Sequence, residues 1–246
     1  MRIPLVTIFF IASSLCFSQK NTGVATYTIQ TDYAFNEIEN SAQKKVLKRI
    51  IEEPGKESPV QFKLIFKNEK SVFFAEKALP RNDDKLDFMR VKAKILGKMY
   101  VDQNTNEILQ YKEKFGEIFR IKWNLSEHEW IFTKEQQKIG KYTCFKAILK
   151  AESNKKNQTI AWYAPELDCR IGPLGYCGLP GGVIRLKDDV FIYSLKDIRF
   201  NLSKQEEKAM RKPKTGREVS LSTYDSIYKV MREKKEAFER AMYNKN

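Results

Sequence analysis

Short stretches of two-residue alternation run through most of this chain. Val24-Ala25-Thr26-Tyr27-Thr28-Ile29 alternates, and Val60, Phe62, Leu64 and Phe66 fall on one face with Gln61, Lys63 and Lys67 on the other. Residues 71–76 follow a polar turn at Asn68-Glu69-Lys70. Residues 100–102 and 108–111 flank a second turn, Gln103-Asn104-Thr105-Asn106, and Phe119, Ile121 and Trp123 alternate with Arg120 and Lys122. Residues 129–133, 141–150, 159–164, 183–186 and 190–195 complete the set. Short strands joined by tight turns predict an antiparallel meander with one face turned to the core.

Two segments change period from two to 3.6. Residues 37–53 place Ile38, Val46, Leu47, Ile50 and Ile51 near one stripe and stop at Pro54-Gly55. Residues 222–243 line up Tyr224, Ile227, Met231, Phe238 and Met242, with Ser222 as the expected N-cap. Residues 204–217 hold six positive and two negative charges with Pro213 and Gly216, and read as an exposed connection. The expected fold is mainly β within the α+β class: a curved antiparallel sheet, half-barrel-like, with one helix in the N-terminal half and a C-terminal amphipathic helix.

The first residues stand apart. Arg2 is followed by an apolar run from Ile3 to Ala12, then by the small residues Ser13, Ser14 and Ser18. This order predicts a secretory signal peptide, residues 1–18, cleaved before Gln19. The run is too short for a spanning helix, which needs about 20 apolar residues. Cys16 raises lipidation, but Leu15 precedes it and Ser13 stands three before, the wrong order for that processing. The expected divisions are therefore 1–18, a β domain over 19–200, and a basic connection with its helix over 201–246. The localisation that follows is periplasmic or secreted.

Composition adds charge. The 246 residues hold 45 Lys and Arg against 31 Asp and Glu, a formal net charge of +14. For an exported chain this points away from nucleic acid and toward an anionic membrane surface or an acidic envelope protein. Export also means an oxidising compartment. Cys144, Cys169 and Cys177 allow three single pairings. Cys169 and Cys177, which flank Gly172-Pro173-Leu174-Gly175, are the easiest to close. Three buried reduced thiols are the alternative.

The stretch 141–186 is the most distinctive. It runs Lys141-Tyr142-Thr143-Cys144-Phe145-Lys146-Ala147, then Ala161-Trp162-Tyr163-Ala164-Pro165, Gly172-Pro173, and Gly178-Leu179-Pro180-Gly181-Gly182-Val183-Ile184. In order and spacing it resembles the GLPGLI family of exported Bacteroidetes proteins, with the likeness extending over roughly 23–200. Gly182 stands where that family has Leu and Val183 where it has Ile. The resemblance carries no biochemical activity. It implies an architecture similar to the half-barrel of periplasmic lipoprotein carriers. Read physically, Pro180-Gly181 suits the centre of a type II turn, and Leu179 before a proline is held extended. Residues 178–182 are then a rigid turn feeding a strand, or a backbone nest for an anion or peptide. No Lys-Ser/Thr pair or helix follows, so a phosphate loop is not expected.

Catalytic chemistry finds little footing. The single histidine, His128, precludes a three-histidine zinc site, and Cys144, Cys169, Cys177 and His128 lack paired spacing. No serine sits in a Gly-x-Ser-x-Gly elbow. A Cys144–His128 pair and the carboxylates Glu166 and Asp168 are the remaining combinations. No catalytic residue, metal or cofactor is expected. The expected role is a non-catalytic binding or carrier module, with Phe62, Phe66, Phe119 and Trp123 lining a concave sheet around an apolar ligand or segment. The alternative is docking to an envelope partner through the Gly-Leu-Pro-Gly loop and basic tail. Binding candidates are Trp162, Tyr163, Gly178, Leu179, Pro180 and Gly181. Asp225-Ser226-Ile227 also resembles an O-glycan acceptor triplet, which would place the sugar on Ser226.

Overall fold

The structure is a computed structural model and describes residues 21–32, 60–76, 96–150, 158–189 and 191–243. The expected signal segment 1–18 and helix 37–53 lie outside these residues. The strands are β1 (Thr22–Thr31), β2 (Gln61–Lys67), β3 (Lys70–Ala75), β4 (Lys98–Asp102), β5 (Glu107–Lys114), β6 (Glu117–Asn124), β7 (Trp130–Ile139), β8 (Tyr142–Leu149), β9 (Ile160–Ala164), β10 (Gly182–Asp188), β11 (Phe191–Arg199) and β12 (Arg217–Ser220). Two helices follow the main body of the sheet, α1 (Lys204–Ala209) and α2 (Leu221–Tyr243).

All 12 strands belong to one open sheet, in the order β12-β6-β5-β4-β3-β2-β1-β11-β10-β9-β8-β7. It consists of two meanders, β1 to β6 and β7 to β11, joined where β1 pairs with β11. Every pairing is antiparallel except the last, β12 on β6. The turns at Asn68-Glu69-Lys70 and Gln103-Asn104-Thr105-Asn106 form as expected, with Asn68 and Asn106 at positive φ.

Connection length forces the sheet to curl. β6 and β7 are ten strand positions apart, roughly 48 Å across a flat sheet. Yet only five residues, 125–129, join them, a reach of about 20 Å. The sheet must bend its two ends toward each other, so one face becomes concave.

That concave face holds the main core. Tyr27, Ile29, Phe62, Leu64, Phe66 and Phe73 from the first meander meet Ala147, Ala161, Tyr163, Leu186 and Tyr193 from the second. Phe62 stacks on Phe73 at 5.1 Å and meets Tyr193 edge-on at 5.7 Å. The convex face carries a smaller cluster of Val24, Ile65, Val72, Tyr100 and Leu109, which packs against Leu202, Ala209 and Met210 around α1.

The basic connection differs from its expected irregular form. Ser203 caps α1 in a capping box with Glu206, satisfying two backbone donors at once. Burial alone would raise the Glu206 pKa, but Arg199 and the Ser203 donors hold it down at about 2. β12 then adds to the edge of β6. α2 begins at Leu221, and its cap is Ser220, whose Oγ accepts from the Thr223 N–H at 3.1 Å, rather than Ser222.

Candidate functional site

The long connection between β9 and β10, residues 165–181, crosses the concave face. A Cβ on Gly175 would lie 3.1 Å from Met99 Sδ and 3.4 Å from Ile108, side chains of β4 and β5 in the other meander. The Gln103 amide donates to the Arg170 carbonyl at 3.3 Å, and Trp130 Nε1 donates to the Cys177 carbonyl at 3.2 Å. Tyr27 OH donates to the Val183 carbonyl at 2.6 Å, across 156 residues of sequence. The connection is therefore a plug that ties both meanders together.

Backbone hydrogen bonds make the plug rigid. Leu167, Cys169 and Ile171 N–H groups donate to Ala164, Leu167 and Cys169 carbonyls in turn, and Val183 N–H returns to Ile171 O. Around the signature, Gly181 N–H donates to Leu179 O at 2.8 Å and Gly182 N–H to Leu167 O. The turn on Pro180 is thus a three-residue γ-turn and not the expected type II turn. The donor a type II turn would use is already bonded to Leu167.

The expected binding residues separate. Leu179 is 0% exposed and belongs to the core, while Gly178 and Pro180 on either side of it are exposed and Gly181 is buried. Trp162 and Tyr163 are adjacent in β9, so they point to opposite faces. Tyr163 faces inward against Phe132 and Phe145, each 6.1 Å away, and Trp162 is half-buried on the other side. Phe62 and Phe66 line the concave face as expected but are covered by the protein itself. Phe119 meets Tyr224 of α2 edge-on at 5.2 Å, and Trp123 is half-buried between the two clusters.

Position 182 has little room for a side chain. A Cβ there would lie 2.5 Å from Leu167 Cδ2 and 3.2 Å from Cys169 Sγ. Leu167 and Cys169 occupy the space into which a residue-182 side chain would project.

Polar groups gather at one edge of the plug. Asp188 accepts from Thr159 Oγ1 at 3.2 Å and Tyr176 OH at 3.1 Å. The His128 ring lies 4.9 Å from that of Tyr176. His128 precedes Trp130, which pairs with Leu149, whereas Cys144 pairs with Gln137 five rungs further along β8, a separation of roughly 17 Å. The Cys144–His128 pair is not assembled. Glu166 instead accepts the Thr143 N–H at 2.7 Å, and Asp168 is exposed. Ser226 is exposed on α2, with its hydroxyl donating to the Ser222 carbonyl at 3.0 Å.

Cys169 and Cys177, the pair expected to be the easiest to close, are free and buried in this structure, as is Cys144. Cys169 packs under Gly182, whereas Cys177 sits at the Trp130 end of the plug with Glu69 nearby. Burial, helped by neighbouring carboxylates, pushes Cys169 and Cys177 up to about 12; burial, partly offset by a backbone hydrogen bond, pushes Cys144 to about 11. The ordinary value is near 9.0, so the fold holds protons that the unfolded chain releases. This contribution is complete below pH 9 and is lost as pH rises toward 11–12. Urea titrations across that range are expected to show falling stability. At neutral pH all three thiols are expected to resist alkylation until denaturant is added; labelling of only one after denaturation would report a disulfide.

Ile131 and Phe132 had no place among the sequence candidates. They are 51% and 56% exposed, on opposite faces of β7, whose outer edge pairs with no strand among the described residues. Two adjacent apolar residues break the alternation, and that break is the signal that could have found them.

No protein-family model matches this sequence, and no curated protein does. Solved structures that share the fold include PNGF-II in a C2 crystal form and in a P21 form, with TM-scores of 0.52 and 0.53 and 19% identity in each case. The alignments cover 83% and 84% of this chain but 32% and 33% of those chains, so it spans about a third of their length. At this identity the likeness concerns the fold alone: the mainly β sheet described above is similar to a part of PNGF-II.

Proposed function

We propose that this chain is an exported, non-catalytic docking module of the cell envelope, of the GLPGLI type. On this reading, the signature loop is structural and binding occurs at the β7 edge. The observation that carries it is that the chain's own β9–β10 connection occupies the concave face, with Leu179 fully buried there. Binding is then directed to the periphery. Among the described residues, the outer edge of β7 has no strand paired to it, beside half-exposed Ile131 and Phe132. Trp130 ties this edge to Cys177, next to the exposed Gly178 and Pro180. An extended apolar segment of a partner protein suits such an edge: it extends the sheet by backbone hydrogen bonds and covers the two side chains.

A photo-reactive residue at position 132, expressed in the native envelope, tests this. The expected result is one discrete crosslinked protein, reduced tenfold or more by Ile131→Lys. A lipid-sized adduct by native mass spectrometry, with no protein crosslink at 132, would overturn docking in favour of apolar-ligand carriage.

A further inference from the structure

The apolar stripe of α2 runs out past the sheet. Its first part docks: Tyr224 and Tyr228 pack with Phe119, Ile121 and Val219, with Ile227 beside them. Lys112 and Lys114 lie over the Tyr224 and Tyr228 rings. Past Tyr228, no α2 residue joins a core cluster among the described residues. The helix nevertheless continues to Tyr243, about 22 Å further at 1.5 Å per residue. Along this overhang Val230, Met231, Phe238 and Met242 are 49%, 36%, 66% and 54% exposed.

On a wheel of about 100° per residue, Tyr224, Ile227, Met231, Phe238 and Met242 all fall within roughly 40° of one line. One stripe therefore meets the sheet at its start and, among the described residues, no packing surface at its end. Charge is arranged around it. Residues 229–243 hold five Lys and Arg against three Glu. On the sides away from the stripe, Glu236 pairs with Arg232 at 3.3 Å and with Arg240 at 4.0 Å. Lys234 and Lys235, both exposed, flank the stripe on its two sides at about 60° and 40°.

We infer that residues 229–243 of α2 lie on a bilayer surface carrying anionic headgroups. Met231, Phe238 and Met242 enter the acyl boundary, and Lys234 and Lys235 reach the headgroups alongside. A second copy fits less well. Four partly exposed side chains fall far short of the ~1,200 Å² that a stable interface buries. An antiparallel partner helix would also set these lysines against their own counterparts. A planar anionic surface satisfies the stripe and both flanks together, and it asks for no shape complementarity from the isolated overhang.

Flotation of the protein as purified from the envelope is the test. Vesicles of phosphatidylglycerol with phosphatidylcholine are compared with phosphatidylcholine alone. Binding is expected only with the anionic lipid and is expected to weaken steeply as salt is raised toward about 1 M. Lys234→Gln with Lys235→Gln should reduce it about fivefold per lysine. Met231→Glu with Phe238→Glu should reduce it tenfold or more. The four positions are exposed, so the melting temperature should stay at the parent value in each variant, which separates lost binding from lost fold. Equal binding to both vesicle types, no binding to either, or full binding by the Met231/Phe238 variant overturns the inference. So does a doubled mass in solution that the same variant halves, because a second copy would then cover the stripe.

Discussion

Replacing Leu179 by Ala is expected to lower the unfolding free energy by about 3 kcal/mol, the cost of emptying a fully buried leucine site. For a chain of this size that is a fall in melting temperature of roughly 9 °C. Pro180→Ala, one residue on, is expected to change stability by less than about 0.5 kcal/mol because Pro180 is exposed. The contrast follows from the plug. Leu179 shares a cluster with Tyr27, Leu64, Ile108 and Leu186, residues of both meanders, so its loss opens a void where the two halves of the curled sheet meet. The site cannot collapse easily, since the γ-turn at Pro180 and the Gly182–Leu167 bond hold the backbone in place. Urea unfolding of the two variants checks this. If Leu179→Ala unfolds like its parent, the connection is not a plug, and the concave face becomes available to a ligand.

Gly172→Ala is expected to cost about 3 kcal/mol or more. Gly172 is extended, at φ −161°, so an alanine there meets no conformational strain. The cost is one of space. The added Cβ would lie 1.8 Å from the Tyr176 carbonyl oxygen and 2.8 Å from Val183 Cγ2. A carbonyl cannot rotate away as a side chain can, and this one is held: Tyr176 N–H donates to Pro173 O, and Val183 N–H donates to Ile171 O, each at 3.0 Å. Any shift would also move Tyr176 OH from Asp188. Gly178→Ala provides the comparison. Gly178 sits at φ +83° in open space, so that variant pays only the left-handed penalty of about 1 kcal/mol. Equal losses from the two variants would mean that Gly172 is not closely packed.

Much of the sheet was legible because alternation reports local geometry. Phe62, Leu64 and Phe66 share an inward face, and Ser71 to Ala75 returns beside them after a turn at Asn68. β12 was not legible. Arg217-Glu218-Val219-Ser220 has one apolar residue, and its strand conformation is supplied by the edge of β6, nearly a hundred residues earlier. α1 could have been found, since Ser203-x-x-Glu206 has the spacing of a capping box inside the basic stretch. The rigid turn at 178–182 was expected. Its hydrogen-bond pattern was not, because the Gly182 donor is claimed by Leu167, fifteen residues away.

The sequence by itself determined the strands of the two meanders, their tight turns and the C-terminal helix. Side-chain periodicity and turn chemistry act between near neighbours, and those neighbours are read directly from the chain. Only the tertiary structure decided that a five-residue link curls the sheet, that residues 165–181 fill the concave face, and that the α2 stripe divides between β6 and the space beyond it. Each depends on contacts such as Tyr27 to Val183, made between segments far apart in sequence. A local pattern specifies that a residue is apolar and which way it points, while the surface it meets exists only once the open sheet has curled around it.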